Sequence, residues 1–181
     1  INNKNIPKTL VIQYLTDIGV TDKLKQEQLV TKLIEYSLLT LQESKENYQY
    51  EHLPDDFTKG LKLTFTIHEI TQLAIQDYLD DEQKVKCLKG GLKSMVKFLP
   101  DKIDLLFSLI EHANFLLPHM RVLTANADRY EVHNKDSVML KIRELEYFLS
   151  GKRNFHDSRE LILQIEEELL KISQDKLVLV R

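Results

Sequence analysis

FTKGLKLTFTIHEITQLAIQDYL, Phe57 to Leu79, carries two periodicities that cannot both be satisfied. Leu61, Leu63, Phe65 and Ile67 alternate as strand residues do, whereas Phe65, Ile70, Leu73, Ala74 and Asp77 recur three or four apart, as on a helix. The helical pattern continues through Leu79, so the whole stretch is read as helix, residues 60–67 included. That choice decides the fold class: an all-α chain, an irregular multi-helix bundle of about seven or eight helices. The scarcity of punctuation agrees, with 5 Gly and 4 Pro in 181 residues.

Upstream, ENYQYEHLPDD (Glu46 to Asp56) reads as a connection, and Pro54, Asp55 and Asp56 restart the chain. Before it, Thr21 or Asp22 is placed to cap a helix whose apolar positions, among them Leu29, Val30, Leu33, Ile34, Leu38 and Leu41, run to about residue 46. A shorter helix through Val11, Ile12 and Leu15 begins near Pro7 and stops at Gly19, which accepts a left-handed cap.

Downstream, DDEQ (Asp80 to Gln83) suits the start of another helix, because its carboxylates face the positive end of the helix dipole. After FLPDK, Asp101 and Asp104 resemble a capping pair for a broad apolar helix, Ile103 to Leu117, the candidate for the centre of the core. Pro118 is read as separating it from HMRVLTANADRY, left open between a short helix and a connection. A further helix is expected from Lys135 to Leu149, stopped by Gly151, and a last one from Ser158 to Ile172 with Asp157 and Glu160 as its capping box. KLVLVR (Lys176 to Arg181) stays open between extension, tail strand and docking segment. No internal repeat or linker forces a boundary, so residues 1–181 are expected to form one helical domain, with weak subdivision near 47–56.

Composition narrows the functional classes. With 25 Lys+Arg against 28 Asp+Glu, the net charge of -3 does not suit a dedicated nucleic-acid binder, although it permits a local basic face. One cysteine allows no internal disulfide, which fits a reducing, cytoplasmic setting. No apolar run is long enough to cross a bilayer, and INNKNIPKTL lacks a signal-peptide pattern.

The most informative surface is QKVKCLKGGLKSMVKFLP, Gln83 to Pro100. KGGLKS lacks both the spacing of a nucleotide-phosphate loop and the apolar strand that would launch one. Projected on a helix, Val85, Leu88, Leu92, Val96 and Leu99 form an apolar face, and Lys86, Lys89, Lys93 and Lys97 form a basic stripe beside it. The plain reading is a wet helix face whose lysine stems cover the apolar edge. The functional readings are a surface for an acidic protein partner, or for phosphates of nucleic acid with help from Arg153 and Arg159. Gly90 and Gly91 either admit a close neighbour or break the helix and split the stripe. Cys87 is read as structural, because no histidine lies beside it in sequence.

Other chemistry finds little support. Of the six histidines, His52, His68, His112, His119, His133 and His156, none belongs to HExxH, and one cysteine rules out a cysteine-based zinc motif. The pairs His68 with Glu69 and Glu111 with His112 lack the ExxH spacing of di-iron bundles. RNFHDSRE (Arg153 to Glu160) reads as a junction of helix caps more than a phosphate site. No metal, cofactor or catalytic residue is therefore assigned. The leading expectation is a noncatalytic protein-interaction or regulatory module that docks an acidic partner on Lys86, Lys89, Lys93 and Lys97. Beside it stand nonspecific nucleic-acid binding through those lysines with Arg153 and Arg159, an enzyme whose site around His112, His119 or His156 assembles only in the fold, and self-association.

Overall fold

The computed structural model describes residues 4–43, 62–100, 116–149 and 155–178; for 155–157 and 174–178 only the backbone is described. The chain divides into two compact units, Ile1–Phe98 and Leu99–Arg181. The described residues are predominantly helical, with seven helices and one three-stranded sheet, as a multi-helix bundle requires. No helix among them is long and apolar enough to cross a membrane.

The first unit contains β1 (Ile6–Pro7), α1 (Lys8–Asp17), α2 (Lys23–Glu35), β2 (Thr40–Glu43), β3 (Leu63–Thr66), α3 (Glu69–Tyr78) and α4 (Asp81–Phe98). Its sheet has the order β1-β3-β2 with both pairings antiparallel, and Phe65 stands opposite Ile6 on one side and Leu41 on the other. Pro7 is tolerated because β1 is an edge strand. Phe65 is fully buried with Ile6, Val30 and Leu39, and the apolar sides of α1 and α2 close over them. Burying a phenylalanine contributes roughly 2 to 3 kcal/mol, which anchors this small sheet.

Two helical expectations fail here. Residues 62–67 do not belong to a helix, because Leu63–Thr66 is the central strand, paired on both sides; residues 60 and 61 lie outside the described residues. Strand pairing and burial of Phe65 outweigh the local helical period, which carries no record of partners distant in sequence. The second helix ends at Glu35 rather than near residue 46, and Thr40–Glu43 becomes β2. Ser37, at φ 57, reverses the chain while Leu38 N–H returns to the Leu33 carbonyl. Gly19, at φ 99, closes α1 in the same way, as its sequence position predicts, and Asp22 caps α2 by accepting from the Leu24 and Lys25 amides.

Helix α4 opens with a reciprocal pair: the Asp80 carboxylate accepts from Gln83 N–H, and the Gln83 side chain accepts from Asp80 N–H. It then runs unbroken through Gly90 and Gly91 and buries Leu88, Leu92, Met95 and Phe98. Gly90 has a packing reason, since a Cβ there would lie 2.9 Å from Cε2 of Tyr14 on α1. The missing side chain lets α1 approach closely and offsets the roughly 1 kcal/mol of helix propensity that glycine forfeits.

The second unit contains α5 (Leu116–Arg129), α6 (Lys135–Tyr147) and α7 (Phe155–Val178). Its core includes Met120, Leu123, Ala127, Val138, Leu140 and Ile165. Pro118 does not interrupt the chain: it occupies the first turn of α5, where its missing N–H removes no intrahelical bond, so HMRVLTANADRY is helical through Arg129. Glu131, at φ 52, ends α5, and Val132 N–H returns to the Ala127 carbonyl. Asn134 caps α6, forming a capping box with Ser137. Helix α7 begins at Phe155, so Asp157 lies inside it and cannot cap it with Glu160. The proposed central helix Ile103 to Leu117 lies outside the described residues except for Leu116 and Leu117, which open α5.

Candidate functional site

Because α4 is continuous, its lysines keep a common side, and Lys86, Lys89, Lys93 and Lys97 are all exposed. They are not equivalent. Lys97 donates to Asp17 Oδ1 at the end of α1, and the Lys93 ammonium lies 3.6 Å from the same oxygen. Lys86 and Lys89 form no ion pair among the described residues. The stripe thus consists of a half tied inward and a half turned to solvent.

Asp17 explains the tied half. Its side chain is only 3% exposed, and Oδ2 accepts from Gln13 Nε2 and Ser94 Oγ, each at 3.0 Å. Burial by itself would raise the Asp17 pKa, but hydrogen bonds from Lys97, Gln13 and Ser94 outweigh it and hold the carboxyl at about 2. This residue was not singled out in sequence, because 80 positions separate it from Lys97. About one turn back on α1 and two turns back on α4, Tyr14 meets Cys87. Burial first, then the hydrogen bond with Cys87, pushes the Tyr14 pKa up to about 12. Cys87 is exposed and packs on α1 as part of this junction.

Among the described residues, the densest group of titratable side chains is in the second unit. Lys141 on α6, 3% exposed, places its ammonium 2.6 Å from Asp128 of α5 and 2.9 Å from Glu168 of α7. Glu168 also accepts a hydrogen bond from Ser137 Oγ, and His133 Nδ1 lies 3.6 Å from the same carboxylate oxygen. The His133 Nδ1 atom is buried without a hydrogen-bond partner among the described residues. A cleft of about 330 Å³ opens beside these residues, bordered by Gln164, Glu167 and Lys171. Desolvation would lower the Lys141 pKa, but its hydrogen bonds to Asp128 and Glu168 overcome that and raise it.

Asp128, His133 and Glu168 bring ligand atoms within 4.8 Å of one another, a spacing that could suit a metal ion. The donor set does not fit one. The Lys141 ammonium sits against both carboxylates, so a metal would have to expel a buried cation from its two counter-ions. Nor does the cluster present a nucleophile: Ser137 is fully buried and committed to the Asn134 cap and to Glu168. The arrangement joins three helices through charge.

The remaining predicted residues are distributed over both units and over segments outside the described residues. Arg159 is exposed near the start of α7 in the second unit, whereas the lysine stripe belongs to the first. Arg153, His52 and His112 lie outside the described residues, as does the side chain of His156. His119 is buried within α5. His68 caps α3, accepting from Ile70 N–H through Nδ1 at 3.3 Å, which engages one of its two ring nitrogens. No protein-family description matches the chain, and neither curated proteins nor solved structures give a match to it.

Proposed function

We propose that the chain is a noncatalytic protein-interaction or regulatory module that docks a partner with an acidic surface on the outer half of the α4 lysine face. The observation that supports this reading is the contrast along one unbroken helix: Lys93 and Lys97 are engaged by Asp17, while Lys86 and Lys89 stand exposed without ion pairs among the described residues. Unpaired ammonium groups attract an acidic surface at long range and set its orientation at contact. Cytoplasmic residence belongs to the same proposal, and the single exposed thiol, Cys87, is compatible with a reducing setting.

Two charge-reversal pairs test the proposal. Lys86→Glu with Lys89→Glu removes only exposed charge, so circular dichroism and urea unfolding should match wild type while capture of the partner from nuclease-treated native lysate is lost. Lys93→Glu with Lys97→Glu places carboxylates beside Asp17 and should destabilise α1 against α4, so any loss of capture there reports structure. Unchanged recovery by the Lys86/Lys89 variant would sink the proposal. Partners that disappear on nuclease treatment in wild type would point to nucleic acid as the captured species.

A further inference from the structure

Helix α3 has its polarity reversed. Its half-buried positions within Glu69–Tyr78 are Thr71 and Gln72, whereas Ile70 is 70%, Leu73 54% and Tyr78 86% exposed. No residue of this helix is buried. Ile70, Leu73, Ala74, Asp77 and Tyr78 follow the i, i+3, i+4, i+7, i+8 spacing of one helix face. That is the spacing with which an amphipathic helix enters a groove. Ten residues make a helix of marginal stability in water, and the His68 cap and Glu69 in the first turn add only modest support. A cover over the apolar face would supply what the unit itself does not.

Charge identifies the kind of cover. From Glu69 through Gln83 the chain carries five carboxylates, Glu69, Asp77, Asp80, Asp81 and Glu82, and no lysine or arginine. A second copy of α3 would set these carboxylates against their equals, and an anionic membrane surface would repel them. We infer that α3 is a docking helix for a protein partner whose apolar groove is rimmed by lysine or arginine. Ile70, Leu73 and Tyr78 are the anchors, and Asp77 with the acidic run at Asp80 to Glu82 meets the rim. Its charge is opposite in sign to that of Lys86 and Lys89, which follow the acidic run on α4.

The test places a photo-cross-linker on the face of the full chain, as Tyr78→p-benzoylphenylalanine, in native lysate of the source cells, and maps both cross-linked peptides. The expected product joins position 78 to another protein, at a segment where apolar residues are bordered by Lys or Arg. Its yield should fall several-fold from low to high salt, because rim charges are screened. Leu73→Glu should reduce it about tenfold, the loss expected when one anchor is removed from such a groove. Since Leu73 is exposed, circular dichroism should show that variant folded, and Lys86→Glu with Lys89→Glu should leave the cross-link intact. The proposal is overturned by a cross-link within the chain or to a second copy, by a mapped site without basic residues, or by the absence of any product. Cosedimentation with phosphatidylcholine/phosphatidylserine vesicles that Leu73→Glu abolishes would overturn it in favour of a lipid surface.

Discussion

Asp17 and Lys141 are mirror images. At Asp17 the anion is buried, and the lysines that satisfy it are about half exposed. At Lys141 the cation is buried, held by a buried carboxylate, Glu168, and by Asp128, which reaches solvent. The first junction fastens α1 to α4; the second joins α5, α6 and α7. What separates them energetically is where the partners can go when the pair is broken. Freed lysines at the first can turn into water, whereas Glu168 at the second is left buried and charged. Removing a residue therefore tests the solvation of what remains more than the strength of the contact.

The largest effect is expected from Lys141→Met. It strands Glu168, which is 2% exposed, and should lower unfolding free energy by about 3 to 5 kcal/mol in urea titrations. Adding Glu168→Leu should recover most of that loss, because the stranded charge is then gone; failure to recover would mean that the cluster contributes net stability as an ion pair. The wild-type junction should also weaken in alkali. Lys141 holds its proton more tightly in the folded chain, so its contribution is complete below the ordinary value of 10.5 and is lost as pH rises through the higher folded value.

Asp17→Asn comes next, with an expected loss of about 1 to 2 kcal/mol near neutral pH, reduced by water around the two lysines. Its pH dependence runs the other way. The Asp17 contribution is present above its ordinary 3.8 and disappears as pH falls through about 2, so wild type and variant should converge in acid. A gap of undiminished size at pH 2 would remove ionisation from the explanation. The smallest effect is assigned to Lys93→Ala, less than about 0.5 kcal/mol by the same unfolding assay, since a half-exposed ammonium at 3.6 Å adds little to the closer Lys97. A loss matching that of Asp17→Asn would make Lys93 an equal partner in the junction.

Features that depend on neighbours in sequence were legible. The Asp22 cap, the Asp80 to Gln83 start, the Gly19 stop and the lysine spacing of α4 all rest on residues within a turn or two of one another. The rest depended on partners far along the chain. The alternation around Phe65 was visible, but its two partner strands are short and lie elsewhere, so the longer helical period prevailed over it. Ser37 and Glu131 end helices in a conformation that favours glycine, and neither announces it by residue type. At the lysine face the exposed side was readable, while its division into tied and free halves required Asp17. His133 and Lys141 carried no signal, because the residues that meet them, Asp128 and Glu168, come from two other helices.

The register of β1 against β3 carries a consequence for the order of events during synthesis. Ile6 is synthesised well before its partner strand, which is incomplete until Thr66 has been made. Closing so long a loop is slow compared with winding a helix. For that interval the nascent chain holds an unsatisfied apolar edge that α1 and α2 can screen only in part, and a chaperone that recognises such edges would meet this protein early.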